Sequence, residues 1–209
     1  MTDPVDEAVL FALEGSPAAP VRLLGLRGFC EAVGDPERNE LGVYDDLIVR
    51  VVGDAVVRFR ASTDPGWKYI ARPVNPKGCA QLRCGDWNFR LGWHKGHPAL
   101  VQAGVFAVNR LDARGRLAST ESGDDFAINN HSGGSEYTVG GFSAGCQVVW
   151  VPEGAWGETW HRYFDPIADA ILDGASQDAA LYAEAVARKV NVPYRLTDRL
   201  PALPSRLCL

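Results

Sequence analysis

His131 and Cys146 are the two residues whose types and surroundings best fit catalytic chemistry. His131 is followed by Ser132 and two glycines, and Cys146 directly follows Gly145. A cysteine attacks as its thiolate, so near neutral pH it needs a base within reach. Backbone N–H groups beside the thiol can receive the oxyanion of an acyl intermediate. The pattern indicates acyl transfer at Cys146 with His131 as base, and we expect the thiol pKa to lie below the roughly 8.5 of a free cysteine.

The elements that must position these two residues are mostly strands. Runs rich in β-branched and aromatic residues predict strands at 21–26, 47–52, 55–59, 87–93, 99–108 and 147–151. Turns are predicted at 35–36, 64–66, 75–78 and 114–115, where Gly, Pro, Asp and Asn cluster. Residues 127–130 lead into His131 as a strand end, and four glycines follow in a loop before the strand that begins at Gln147. We therefore expect a mainly β (α+β) domain with His131 and Cys146 on neighbouring strand ends.

Helix is predicted only towards the two ends of the chain. A short helix within an N-terminal extension of about 1–20 is expected from Asp3 to Leu13. A helical segment is expected over about 160–192, with its last helix beginning near Ser176. Apolar residues recur there at spacings of three and four, at Ala179, Tyr182, Ala183, Val186 and Val190. No linker divides the sequence, so residues 1–209 are interpreted as one catalytic domain.

Composition restricts the classes of partner. The chain has 209 residues, 46% of them hydrophobic, so it can bury roughly 70% of its unfolded surface without metals or disulfides. Its five cysteines are scattered and odd in number, unlike a disulfide framework. A net charge of −5 with dispersed basic residues argues against nucleic acid as a partner. We see no signal peptide and no run of about 18 apolar residues that would span a membrane, and we expect synthesis in the cytoplasm. Neither an organic cofactor nor a metal is expected.

The segment from His131 to Cys146 resembles the catalytic segment of the L,D-transpeptidase family. In that family a histidine and a glycine-containing loop precede a Ser-His-Gly-Cys element, and here Ser143, Gly145 and Cys146 match it. Ala144 stands where the family has a second histidine, and Gln147 with Val148 replaces a hydrophobic residue and an arginine. These departures suggest a divergent branch of the family.

The resemblance implies a fold, a reaction and a set of roles. The fold would be an L,D-transpeptidase-like β-sandwich with a C-terminal helical segment. Cys146 would be the nucleophile and His131 its base, with the backbone near Ser132 and Gly133 holding the imidazole in the useful tautomer. The Gly145 and Cys146 amides would form the oxyanion hole. The substrate would be a peptidoglycan stem peptide, cleaved or exchanged through an acyl-enzyme by hydrolysis or transfer.

Other residues are expected around this pair. Ser143 would support the loop or the oxyanion region, and His94 could line the cleft and substitute for the missing histidine. Ser132, Gly133, Tyr137 and Gln147 are further candidates for contact with substrate. Residues 27–28, 63–66 and 91–102 look similar to parts of uncharacterised bacteriophage-encoded proteins that have the same Ser-x-Gly-Cys ending. This resemblance implies lysis or wall penetration after release from the cytoplasm.

Three alternative interpretations stay open at this stage. Gly141 to Gly145 fits the nucleophile elbow of a serine hydrolase with Ser143 as nucleophile, although a strand rather than a helix is predicted to follow. Cys79, Cys84, His94 and His97 loosely fit the spacing of a zinc site. A non-enzymatic virion or wall-binding protein could also keep the scaffold without its chemistry. The adjacent pairs Asp45-Asp46 and Asp124-Asp125 are interpreted as turn or loop residues, because neighbours on a strand point to opposite faces.

Overall fold

Strands dominate the part of the chain that the structure describes. A computed structural model describes Val9, Leu13, residues 19–28 and residues 39–198. The strands there are β1 (Val21–Leu26), β2 (Asp46–Val52), β3 (Ala55–Ser62), β4 (Cys79–Leu82), β5 (Gly85–His94), β6 (His97–Gln102), β7 (Phe106–Leu111), β8 (Leu117–Gly123), β9 (Asn130–Ser132), β10 (Gln147–Val149) and β11 (Val192–Thr197). The helices are α1 (Trp67–Ala71), α2 (Trp156–Ile171) and α3 (Ala179–Ala187). The mainly β class predicted from the sequence is confirmed.

Eight of these strands close into a barrel. Their order around it is β1-β11-β5-β6-β9-β10-β3-β2, and β4-β7-β8 form a separate three-stranded sheet. Most pairs are antiparallel, but β1 with β11 and β9 with β10 are parallel. The structure therefore shows a closed barrel with a flanking sheet, where a sandwich was expected. Closure depends on β11, a strand that was not predicted, pairing with β1 from the opposite end of the chain.

Several predicted boundaries need correction. The single strand predicted over 99–108 is two strands, β6 and β7, which belong to different sheets and are separated by a turn at Gly104 with φ of +87°. Helix is not confined to the ends, because α1 lies at Trp67–Ala71. The segment expected at about 160–192 contains two helices and begins earlier, at Trp156. Apart from Val9 and Leu13, the predicted N-terminal helix lies outside the described residues.

The core lies on both faces of the barrel wall. Alternation along β1 and β2 turns Leu23 and Ile48 towards a large cluster that includes α2, and turns Leu24 and Val49 towards Val9 and Leu13. From α2, the side chains that join the large cluster are those of Trp160, Tyr163, Phe164, Ile167 and Ala168. At about 25 cal/mol per Å² of apolar area, burial of a large side chain such as Phe164 or Ile167 stabilises the fold by about 1.5–3 kcal/mol.

A proline within α2 helps to tie this helix to the barrel. Pro166 has no N–H, so the carbonyl of Arg162, four residues earlier, lacks its helical donor. Arg50, on β2, donates from Nη1 to the carbonyls of Arg162 and Tyr163. The strand side chain thus satisfies an acceptor that the helix itself leaves open.

Candidate active site

The parallel pair β9 and β10 brings His131 and Cys146 into one region. Gln147 pairs with Asn130 and Val148 pairs with His131, so Cys146 lies directly before the strand beside the one that carries His131. The Gln147 N–H donates to the Asn129 carbonyl at 2.8 Å and extends the ladder towards Cys146. Placement of the two residues on neighbouring strand ends is therefore found as expected.

The His131 ring is fixed in one neutral tautomer. Its Nδ1 lies 2.7 Å from the Ser132 carbonyl, which can only accept, so Nδ1 carries the proton. Nε2 is buried and has no hydrogen-bond partner among the described residues. Burial lowers the pKa of His131 to about 4, and the charges of His94 and Lys95 act in the same direction. The imidazole is thus neutral near pH 7, with a free lone pair on Nε2.

Cys146 is a buried thiol at the wall of a cavity. Its side chain is only 8% exposed, and Sγ lies 3.8 Å from the Ala127 carbonyl. Burial raises the pKa of this thiol, while a hydrogen bond with the Asn129 backbone and the charge of Lys95 oppose that effect without outweighing it. The expectation of a thiol pKa below that of free cysteine is therefore wrong for the free protein. Since Nε2 of His131 has no partner in the described chain, the thiol and imidazole are not hydrogen-bonded to each other.

Ser143 and Gly145 shape the turn that precedes Cys146. The Ser143 hydroxyl is fully buried, donates to the Cys146 carbonyl at 2.8 Å and accepts from the Gly145 N–H at 3.1 Å. Gly145 has φ of +133°, and a Cβ there would lie 2.8 Å from the Ala80 carbonyl oxygen. The Gly145 amide is thus already engaged, which leaves the Cys146 amide as the remaining donor of the expected oxyanion hole.

This arrangement bears on the serine-hydrolase interpretation. The Ser143 hydroxyl is held in the turn by backbone partners, and it does not line the cavities beside Cys146 and His131. Strand β10 follows directly, where a nucleophile elbow requires a helix. The structure therefore places the Ser143 hydroxyl as a support of the turn that precedes Cys146.

A tight hairpin covers the histidine. His94 pairs with His97 at the end of β5 and β6, and Lys95 and Gly96 between them have φ of +50° and +83°. Positive φ at both central residues is the type I′ geometry that suits two-residue hairpins. The ring of His94 stacks on His131 at 4.6 Å between centroids, and its Nδ1 accepts from Asn129 Nδ2 at 2.8 Å. Burial lowers the pKa of His94, with Lys95 contributing in the same direction.

Two cavities meet at this hairpin. One, of about 680 Å³, has Cys146, Ala144, Cys79 and Arg110 in its wall. The other, of about 660 Å³, has His131, Ser132 and Trp156 in its wall. Four residues line both: His94, Lys95, Gly141 and Phe142. The candidate nucleophile and the candidate base therefore face adjoining spaces, each large enough for part of a peptide.

The remaining candidates are placed differently. Gln147 is fully buried, accepts from the Tyr194 hydroxyl at 2.9 Å and does not line these cavities, so it is not positioned to touch substrate as expected. Gly133 lies against the Tyr44 hydroxyl, where a Cβ would overlap it. Tyr137 is 62% exposed and stacks under Arg60, outside both cavities.

The four residues considered for zinc do not form a site. Among the described residues, no group of three or more His, Cys, Asp or Glu side chains is arranged to hold a metal ion. Instead, Cys79 is buried and Cys84 exposed, and both are free thiols. His94 is engaged with Asn129.

Sequence reasoning missed a buried charged cluster on the barrel. Asp46 and Asp64 are fully buried, and Arg27 lies 3.1 Å from Asp64. Asp46 accepts from the Gly28 and Thr63 N–H groups, both at 2.5 Å. Asp46 was interpreted as a turn or loop residue, but it begins β2 and faces inwards. The cluster does not line the cavities beside Cys146; its hydrogen bonds join the end of β1, the start of β2 and the segment that follows β3.

Comparison of the chain with protein-family models, curated proteins and solved structures finds no match. In the described part of the chain, no helix is both long and apolar enough to cross a membrane.

Proposed function

We propose that this protein is a cysteine enzyme that cleaves or exchanges a peptide bond of peptidoglycan stem peptides, on a scaffold related to that of the L,D-transpeptidases. The observation that carries the proposal is the state of His131. Its Nδ1–H is fixed on the Ser132 carbonyl and its Nε2 is free, on the strand beside Cys146. This is the tautomer that a general base for a thiol requires. The resemblance of the segment from His131 to Cys146 supplies the substrate class.

The reaction begins when the Cys146 thiol attacks the carbonyl carbon of the donor peptide bond. His131 Nε2 takes the thiol proton as the S–C bond forms, and the Cys146 N–H donates to the oxyanion. Collapse of the tetrahedral intermediate breaks the C–N bond, and the imidazolium returns the proton to the leaving amine. Water or a second amine then attacks the thioester while His131 again takes the proton; the C–S bond breaks, and the imidazolium returns the proton to sulfur, which regenerates the thiol.

The proposal requires one movement in the free protein. Sγ now lies near the Ala127 carbonyl and must rotate towards Nε2, because the two are not hydrogen-bonded. Catalytic hydrogen bonds are often long before substrate binds and tighten in the complex. We expect a substrate that fills the 680 Å³ cavity to displace the thiol from its contact with Ala127.

The test is mass spectrometry of products after incubation with purified peptidoglycan and with defined muropeptides. Cys146→Ala and His131→Asn are the informative variants. Cys84→Ala is the matched control, because it removes an exposed free thiol that does not line the site. We expect products cut or exchanged at one peptide bond from the wild type and Cys84→Ala, none from Cys146→Ala, and about 10² to 10⁴ slower formation by His131→Asn. Equal product from Cys146→Ala would overturn the assignment.

A second candidate is a non-enzymatic wall-binding or virion protein on the same scaffold. The observation that favours it is the separation of thiol and imidazole, together with a thiol pKa that burial raises. Sedimentation with insoluble peptidoglycan separates the two candidates. Binding without product, equal for wild type and Cys146→Ala, would support this candidate and exclude the enzymatic one.

A further inference from the structure

Lys95 occupies the point where the two cavities of the candidate site meet. It lies at the tip of the β5–β6 hairpin, is exposed, and lines both the cavity that contains Cys146 and the cavity that contains His131. Within the described chain its ammonium has no ion pair or hydrogen bond. Its charge nevertheless acts on Cys146, His131 and His94. A cation that affects all three groups lies close to any substrate bound between them.

The local backbone does not favour a lysine here. Lys95 has φ of +50° in a two-residue turn with positive φ at both positions. Asn or Asp before Gly is the preferred sequence for this turn, and residues with φ above zero are otherwise uncommon. A residue that is unfavourable for its backbone conformation, and that makes no compensating local interaction, often marks a functional position. Neutral Asn would suit this turn better, so the turn geometry does not account for the lysine.

The charges around the Cys146 cavity leave an excess of positive charge. Lys77 and Arg110 lie 2.7 and 2.8 Å from the same carboxylate, that of Glu121. With Lys95, the cavity wall contains three cationic side chains, but only two carboxylates, those of Glu121 and Asp125. This local excess stands against a net charge of −5 for the whole chain. The cavity is therefore suited to an anionic ligand.

We propose that Lys95 binds a carboxylate of the acyl donor and so makes the site selective for anionic peptides over neutral ones. The inference deepens the proposed function and rests on it for the identity of the peptide. The underlying chemistry, attraction of a carboxylate towards the Cys146 thiol, does not depend on that identity. Lys95 is thus a specificity-determining residue.

The test compares two alkylating reagents of similar size, one anionic and one neutral, and their difference in intrinsic reactivity cancels when their rate ratio is compared between protein variants. Iodoacetate is an anion and iodoacetamide is its neutral counterpart, and both modify Cys146 by displacement of iodide. Rates are measured at low ionic strength by mass spectrometry of the Cys146 peptide. Loss of Lys95 changes the thiolate fraction equally for both reagents, so the iodoacetate-to-iodoacetamide ratio isolates the attraction of the anion. We expect Lys95→Asn to lower this ratio about three- to tenfold, and added salt to lower the wild-type ratio towards that of the variant.

Three variants make the result specific. Lys95→Asn removes the charge while placing the favoured residue in the turn, so the melting temperature is expected to hold or rise. Lys95→Arg keeps the charge and should keep the ratio. Lys189→Asn is the matched control, because Lys189 is also exposed with φ of +51° but lines neither cavity. An unchanged ratio in Lys95→Asn, or an equal fall in Lys95→Arg or Lys189→Asn, would overturn the inference.

The outcome is separate from that of the peptidoglycan assay. A ratio that depends on Lys95, with no product from any muropeptide, supports the anion site and removes the proposed substrate. Product formation with a ratio independent of Lys95 supports the enzyme and removes the role of Lys95.

Discussion

Burial of His131 makes a quantitative prediction about stability. In the folded protein, burial lowers the pKa of His131 to about 4 from an ordinary value of 6.5. Between these two values the unfolded chain binds a proton at this position and the folded chain does not, so stability falls as pH falls. At about 1.4 kcal/mol per pKa unit, the full interval corresponds to about 3 kcal/mol. That stability is present above pH 6.5 and is lost as pH falls towards 4.

The substitution His131→Asn tests this pH-dependent contribution to stability. The Asn amide can still donate to the Ser132 carbonyl as Nδ1 does now, but it cannot titrate. From pH 7 to pH 4, the unfolding free energy of the wild type should therefore fall by roughly 3 kcal/mol relative to that of the variant. Other titrating groups contribute to both proteins and cancel, except for His94, which stacks on His131 and is partly coupled to it.

Urea unfolding at 25 °C, followed by tryptophan fluorescence at pH 7, 6, 5 and 4, measures this difference. His161→Asn is measured in parallel as the control for replacing a histidine by asparagine at an exposed position, on α2. A difference between wild type and His131→Asn that stays constant from pH 7 to pH 4 would refute the reasoning. It would mean that His131 is hydrated in solution, and the argument for a desolvated neutral base would fail with it.

Three further substitutions test the loops around the site. Gly145→Ala forces a Cβ to 2.8 Å from the Ala80 carbonyl oxygen at φ of +133°, so urea unfolding should show a loss of about 1–3 kcal/mol, and an unchanged midpoint would contradict this geometry. Ser143→Ala removes two hydrogen bonds to the backbone, so the unfolding free energy should fall by about 1–3 kcal/mol. Product formation on muropeptides should persist. Complete loss of product from a folded variant would instead favour a serine nucleophile. Tyr44→Phe removes the acceptor of the Gly134 N–H, and hydrogen exchange of that amide should accelerate; equal protection in the variant would show that the bond is not made in solution.

The sequence predicts those elements whose signal is local. Strands β1, β2, β3, β5 and β10 coincide with runs of apolar or alternating residues, and their predicted starts lie within two residues of the observed ones. The placement of His131 beside Cys146 was also predictable, because glycines mark the loop between two strand-like segments. Elements with weak local signals were missed. β8 is polar and largely exposed, at the edge of the three-stranded sheet, so it has no apolar periodicity.

What could not be predicted depends on contacts between distant parts of the chain. Closure of the barrel requires β1 to pair with β11, and Leu23 with Tyr194 is one such pair. Tyr194 fills the space that Gly25 leaves empty, since a Cβ there would overlap its hydroxyl. The thiol pKa of Cys146 also depends on the tertiary structure. Small neighbours in the sequence suggested an accessible, activated thiol, but the fold buries it, and burial decides the direction of the shift.

The electrostatics of the site are consistent with chemistry that starts only when substrate is bound. Burial favours the neutral form of both partners, because it raises the pKa of the Cys146 thiol and lowers that of His131. A resting thiolate and imidazolium pair is therefore disfavoured. On the proposed function this has two consequences: a protonated thiol resists oxidation, and a thiolate of high pKa is intrinsically the stronger nucleophile once it forms. Lys95 lines the cavities of both residues, and a carboxylate bound there, as proposed above, would neutralise its charge. Lys95 lowers the pKa of both His131 and the Cys146 thiol, so its neutralisation raises both pKa values: the imidazole becomes a stronger base, and the thiolate, once formed, becomes a stronger nucleophile.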